Sequence, residues 1–81
     1  MTQQEIQSKV NAFMVDRLEY ELNKLMPEAE LKRDLGMTSL DAVELAIFIK
    51  RTFGFQPERN AVKTLLTLQE LCDYIAKNID K

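Results

Sequence analysis

Apolar residues return every three or four positions along three stretches of the chain, and the rhythm fails in the segments between them. In the first stretch Ile6, Val10, Phe13, Met14 and Leu18 form one stripe, with Lys9, Asp16 and Arg17 on the other side. That spacing predicts a helix with one buried face, in which Met14 is core packing. Thr2-Gln3-Gln4-Glu5 reads as a capping box that starts the helix, and the pattern carries it to about Glu21. From Leu22 to Leu35 the periodicity weakens and Pro27 interrupts it, which predicts an ordered loop anchored by Leu25, Leu31 and Leu35. A second helix is predicted from Leu40 to Phe53, stopped by Gly54. Pro57 opens an irregular stretch, and Asn60 to Leu65 has room for one or two helical turns. Thr67-Leu68-Gln69-Glu70 is another capping box, and Leu68, Leu71, Ile75 and Ile79 give the last helix a buried face, with Tyr74 partly exposed beside it. No strand, repeat or linker is predicted. The fold class is all-α: a small bundle of three main helices plus a short helix.

The second helix is apolar on two sides. Leu45, Ile49 and Phe53 share one side at spacing four, while Leu40, Val43 and Ile47 line another. So small a domain cannot easily bury both, because it covers only about 60–65% of the surface its unfolded chain exposes. One stripe is expected to face the core. The other either meets a partner or packs under the preceding loop.

Composition narrows the chemistry. Eighty-one residues make one domain, 1–81, and 46% apolar with 30% charged residues is a folded, helix-rich balance. There is one cysteine, Cys72, and no histidine. An internal disulfide, the Cys/His zinc patterns and the Ser-His and Cys-His nucleophile pairs are therefore excluded, and no catalytic or metal residue is assigned. Cys72 sits in the apolar pattern of the last helix and reads as a small buried residue, with a reactive thiol as the alternative. The net charge of −2 is spread without long blocks, which gives no sign of nucleic-acid binding. No basic-then-apolar leader opens the chain, and no apolar run approaches the roughly 18 residues of a membrane span. The expected state is a cytoplasmic monomer with no membrane insertion.

One string carries most of the functional information: Asp34-Leu35-Gly36-Met37-Thr38-Ser39-Leu40-Asp41-Ala42-Val43-Glu44-Leu45. Gly36 can take backbone angles forbidden to other residues, so the chain can turn sharply before the helix, leaving Ser39 at or next to the N-cap. A phosphate on that hydroxyl would lie at the positive end of the helix dipole, near free N–H groups, with a favourable contribution of roughly 0.3–1 kcal/mol. An unmodified serine capping the helix explains the position equally well. Asp41 and Glu44 fall on the first turns, where carboxylates also suit the dipole.

Asp34-Leu35-Gly36, two residues, then Ser39-Leu40-Asp41 and Val43-Glu44-Leu45 resembles the attachment motif of the acyl carrier protein family, in which the serine carries 4'-phosphopantetheine. The likeness extends over most of the chain, from the leading amphipathic helix to the final one. It implies an acyl-carrier-protein-like bundle with no enzymatic activity, in which Ser39 holds a flexible arm covalently and the arm carries acyl groups as thioesters for fatty-acid-like or specialised lipid or polyketide biosynthesis. A phosphopantetheinyl transferase would load the arm from coenzyme A. Acyl transferases, ketosynthases or acyl-activating enzymes would then dock on the second helix, at Leu40, Asp41, Val43, Glu44, Ile47, Lys50 and Arg51.

Two departures from the family pattern stand out. The residue before the serine is usually aspartate in the proteins this chain resembles, and here it is Thr38; further along, where fatty-acid carriers are acidic, the chain has Lys50-Arg51-Thr52. Both favour a dedicated set of partners, although Lys50-Arg51 also reads as a solvated pair. An aminoacyl or peptidyl carrier shares the serine motif, and a helical interaction module without a prosthetic group needs Ser39 only as a cap.

Overall fold

The computed structural model describes residues 1–58 and 60–79. Among these residues four α-helices follow one another: α1 (Gln3–Asp16), α2 (Ser39–Phe53), the short α3 (Ala61–Thr64) and α4 (Leu68–Ile79). The architecture is the all-α small bundle that the periodicity predicts, three main helices with one short helix, and no strand forms among the described residues.

Both predicted capping boxes are present. Thr2 N–H donates to Glu5 Oε1 and Glu5 N–H donates to Thr2 Oγ1, each at 3.2 Å. At the other end of the chain, Thr67 and Glu70 exchange the same pair of bonds at 3.2 Å. Each box satisfies N–H groups that the first helical turn leaves without partners. Ile6, Val10 and Met14 of α1 meet Leu68, Leu71, Cys72 and Ile75 of α4 in the core, which Ala42, Leu45 and Ile49 of α2 and Val62 of α3 complete. Phe53, Leu18 and Ile79 are half-buried and pack on that core from its margin.

The first helix ends earlier than its apolar period suggests. It stops at Asp16 rather than about Glu21, with the Arg17 N–H donating to Phe13 O at 2.8 Å. Glu19 then takes φ 60, in the left-handed region that a side chain disfavours, and Tyr20 N–H folds back to Met14 O at 3.0 Å. Leu18 keeps its place against the core although the helix has ended, which is why the spacing alone overran the boundary.

The long loop is ordered by its anchors and by backbone bonds to α4. Leu25 and Leu31 are buried, and Leu35 is half-buried. A single 3₁₀ turn runs over Leu22–Lys24. Glu30 and Thr67 form an isolated antiparallel bridge: Leu31 N–H donates to Leu66 O and Leu68 N–H to Ala29 O, both at 2.9 Å. The end of the loop is thereby fixed to the same helix that packs against α1.

Candidate functional site

The Asp-Leu-Gly triplet builds the turn that delivers the chain to α2. Asp34 Oδ2 accepts the Glu30 N–H at 2.8 Å, Leu35 packs on the core, and Gly36 takes φ 70. Met37, buried, donates its N–H to Leu31 O at 2.9 Å. Only a residue without a Cβ adopts the Gly36 angle at little cost, so the turn is tight, and two residues later Thr38 leads the chain into α2 from an extended backbone.

Thr38 is the N-cap, at φ −96 and ψ 172. Its Oγ1 accepts the Asp41 N–H at 3.1 Å, and Asp41 Oδ2 accepts the Thr38 N–H at 3.2 Å. The capping role that Ser39 could have filled is therefore performed by its neighbour. Ser39 becomes the first helical residue, exposed, with its hydroxyl outside the capping bonds. The box satisfies the Thr38 and Asp41 N–H groups and leaves those of Ser39 and Leu40, at the positive end of the helix, without a partner among the described residues.

Asp41 has a second structural task. The Tyr20 hydroxyl donates to Asp41 Oδ2 at 3.0 Å, tying the segment after α1 to the first turn of α2. Burial, reinforced by that hydrogen bond and by the Asp41 charge, pushes the Tyr20 phenol well above the ordinary tyrosine range. Asp41 is half-buried as a result, and its carboxylate is turned onto its own helix cap and onto Tyr20. The Thr38 cap had a sequence signal, the same Thr-x-x-acid spacing as in the other two boxes. The Tyr20 contact, 21 residues away, had none.

A recess of about 340 Å³ lies beside Ser39, with Leu31, Met37, Ala42, Val62 and Leu65 among its walls and Lys32 and Lys63 also lining it. An exposed hydroxyl at a helix N-terminus, with lysines rather than carboxylates lining the adjoining recess, fits a phosphodiester. Cys72 is not a competitor for chemistry at neutral pH: it is buried, and burial, with a smaller contribution from Asp73, pushes its thiol up to about 11. Among the described residues no group of three His, Cys, Asp or Glu could hold a metal ion.

Beyond Ser39 the outer face of α2 presents the second apolar stripe. Leu40, Val43 and Ile47 are 69%, 50% and 49% exposed, and Glu44, Lys50 and Arg51 are exposed around them. The stripe does not pack under the preceding loop. Of the seven residues placed on this surface by sequence, the structure brings six to the outside of one helix and turns only Asp41 inward.

Residues 8–75 match the family described as phosphopantetheine attachment site. The chain belongs to the acyl carrier protein family. It is 35% identical to the acyl carrier protein of Thermosynechococcus vestitus, over 98% of this chain and 98% of that one. Against the acyl carrier protein of Cyanidioschyzon merolae the identity is 33%, over 96% of this chain and 86% of the relative. The acyl carrier protein of Rubrobacter xylanophilus gives 31% identity over 96% of each. Acyl carrier proteins are carriers and not catalysts, their prosthetic group is phosphopantetheine, and they work with a phosphopantetheinyl transferase and with acyl-handling enzymes. Among the described residues of this one, no helix is long and apolar enough to cross a membrane.

Proposed function

We propose that Ser39 is the attachment residue for 4'-phosphopantetheine, and that residues 1–81 act as one carrier domain holding acyl groups as thioesters for a dedicated set of lipid- or polyketide-building enzymes. The observation that carries the assignment is the division of labour at the start of α2: Thr38 closes the cap, and the adjacent Ser39 hydroxyl is left exposed. In the loading step the Ser39 Oγ attacks the pantetheine-side phosphorus of the coenzyme A pyrophosphate. The Ser39 O–P bond forms, the P–O bond to the nucleotide breaks, adenosine 3',5'-bisphosphate leaves, and the hydroxyl proton passes to a base. The transferase supplies that base and its Mg²⁺, since such reactions depend on positioning and charge stabilisation. This chain contributes an accessible nucleophile and two unpaired N–H groups beside the new phosphodiester. The bound arm supplies the thiol on which an acyl group is carried.

Leu40, Val43 and Ile47, with Glu44, Lys50 and Arg51, form the surface proposed to meet the transferase and acyl enzymes. Thr38 in place of an acid and the Lys50-Arg51 pair support dedicated partners, because exposed charge chiefly governs encounter and the rejection of wrong partners. The deciding measurement is the intact mass after incubation with coenzyme A and a broad-specificity phosphopantetheinyl transferase. Wild type and Ser8→Ala gain one phosphopantetheinyl mass, and Ser39→Ala gains none; modification of Ser39→Ala would refute the assignment. Thiol titration gives a second readout. Loading adds one fast-reacting thiol, because Cys72 is buried and its pKa is raised.

A further inference from the structure

The outer face of α2 is a ridge between two grooves. Ile47 and Arg51, one helical turn apart, line both of them. On one flank a groove of about 750 Å³ runs past Ala42 and Ala46 to Lys50, Gln56 and Lys63. Two alanines at spacing four leave room in it, since neither extends beyond a methyl group. On the other flank a groove of about 390 Å³ lies between α2 and the end of α1, with Phe13 and Phe48 as its apolar walls and Arg17 and Glu44 also lining it. The two rings stack with their centroids 4.3 Å apart, so they form one continuous apolar wall.

The charge on this ridge opposes that of the molecule. The chain as a whole carries −2, yet the two grooves are lined by four cations, Arg17, Lys50, Arg51 and Lys63, and one carboxylate, Glu44. None of the four cations is ion-paired among the described residues, where the salt bridges are Lys24–Glu21 and Arg33–Glu30. We propose that the ridge docks a partner protein whose receiving cleft is apolar at its centre and rimmed by carboxylates. The proposal rests on the reading of α2 as the docking surface and adds the chemistry of the partner.

Two flanking grooves call for side chains that project into them, which a protein offers and a smooth bilayer does not. A second copy presenting the same face would set four cations against four.

The test uses the full unmodified chain, isotopically labelled, titrated by NMR with two synthetic helical peptides that share a leucine stripe and differ only in flanking glutamates or flanking lysines. The glutamate peptide is expected to bind at least about tenfold more tightly, to shift the amides of Val43, Ile47, Lys50, Arg51 and Lys63, and to weaken as salt rises. Lys50→Glu with Arg51→Glu is expected to remove or reverse the preference while lowering the thermal melt only modestly, since both residues lie in the last turn of α2, where cations favour the helix dipole. Equal binding of both peptides, or shifts confined to other parts of the molecule, overturns the proposal. So does a larger response of the same amides to vesicles of phosphatidylglycerol and phosphatidylcholine, which would make the ridge a membrane surface, or dimerisation that protects it. Repeating the titration with Ser39→Ala separates the two ideas, because the expected binding needs no arm and the mass assay needs no acidic peptide.

Discussion

Leu45 and Ile47 stand two residues apart on α2, are both large and aliphatic, and have opposite fates: Leu45 is fully buried and Ile47 is 49% exposed. The same contrast runs the length of the helix, with Ala42, Leu45 and Ile49 inside and Leu40, Val43 and Ile47 outside. Hydropathy does not separate the two stripes. What separates them is how much core a chain of 81 residues can build: α1 and α4 already pack against each other, and α2 closes the remaining side with one face only. Each large side chain left in water forgoes roughly 1.5–3 kcal/mol that burial would contribute. That exposed stripe, starting beside an exposed serine, is the surface proposed above for docking.

The most severe way to challenge this comparison is to cut into the inner stripe. Ile49→Ala is expected to destabilise by about 2–5 kcal/mol, the usual range for truncating a fully buried large side chain. At roughly 0.05–0.15 kcal/mol per residue, that is a large part of the total stability, so the variant should melt far below wild type or be partly unfolded at room temperature. A loss below about 1 kcal/mol in denaturant titration would mean that the inner face is not the one described.

A smaller effect separates the two hydroxyls at the start of α2. Thr38→Ala is expected to cost about 1 kcal/mol, the typical value of an N-cap, while Ser39→Ala should lie within about 0.5 kcal/mol of wild type. Comparing their melts in the unloaded protein tests the division between cap and attachment point without any enzyme. Equal losses would return Ser39 to a structural role.

The link between Tyr20 and Asp41 gives a pH signature. Because the folded phenol titrates above the value of 10.0 that it has when unperturbed, its contribution to stability is fully present below about pH 10 and is lost as pH rises beyond that. Tyr20→Phe should cost about 0.5–1.5 kcal/mol at neutral pH, and its melting temperature should fall less steeply than wild type between pH 9 and pH 11. Parallel alkaline losses in the two proteins would show that the contact at 3.0 Å does not hold the phenol protonated.

Most of the fold was legible in the sequence because it rests on local rules. The 3.6-residue period located the buried stripes, and Gly54, at φ 81 with its N–H donating to Lys50 O at 3.1 Å, ended α2 where a glycine was expected to end it. The boundary of α1 was not legible, since Leu18 keeps the period after the backbone has turned away through Glu19. The site was legible in its motif but not in its wiring. Ser39 stood out by resemblance and drew the reading away from the Thr-x-x-Asp spacing that marks Thr38 as the cap, while the Tyr20–Asp41 bond and the bridge of Glu30 to Thr67 join segments whose proximity no local pattern encodes.

The smallest expected effect on stability is also the sharpest statement about the outer stripe. Val43 is half exposed, so replacing it by aspartate removes little buried area and should change the melt by no more than about 0.5 kcal/mol. In function the change is large, because a carboxylate set between Leu40 and Ile47 must be desolvated against the apolar centre of any partner that docks there, at a cost of 1–3 kcal/mol or more. Loading by the phosphopantetheinyl transferase and acyl transfer to the arm should both slow at limiting carrier concentration and recover as the carrier concentration is raised. Melting Val43→Asp beside Ile49→Ala makes the comparison direct: a collapse of equal size would mean that the inner and outer faces of α2 have been exchanged, and an unchanged melt with unchanged loading would remove Val43 from the docking surface.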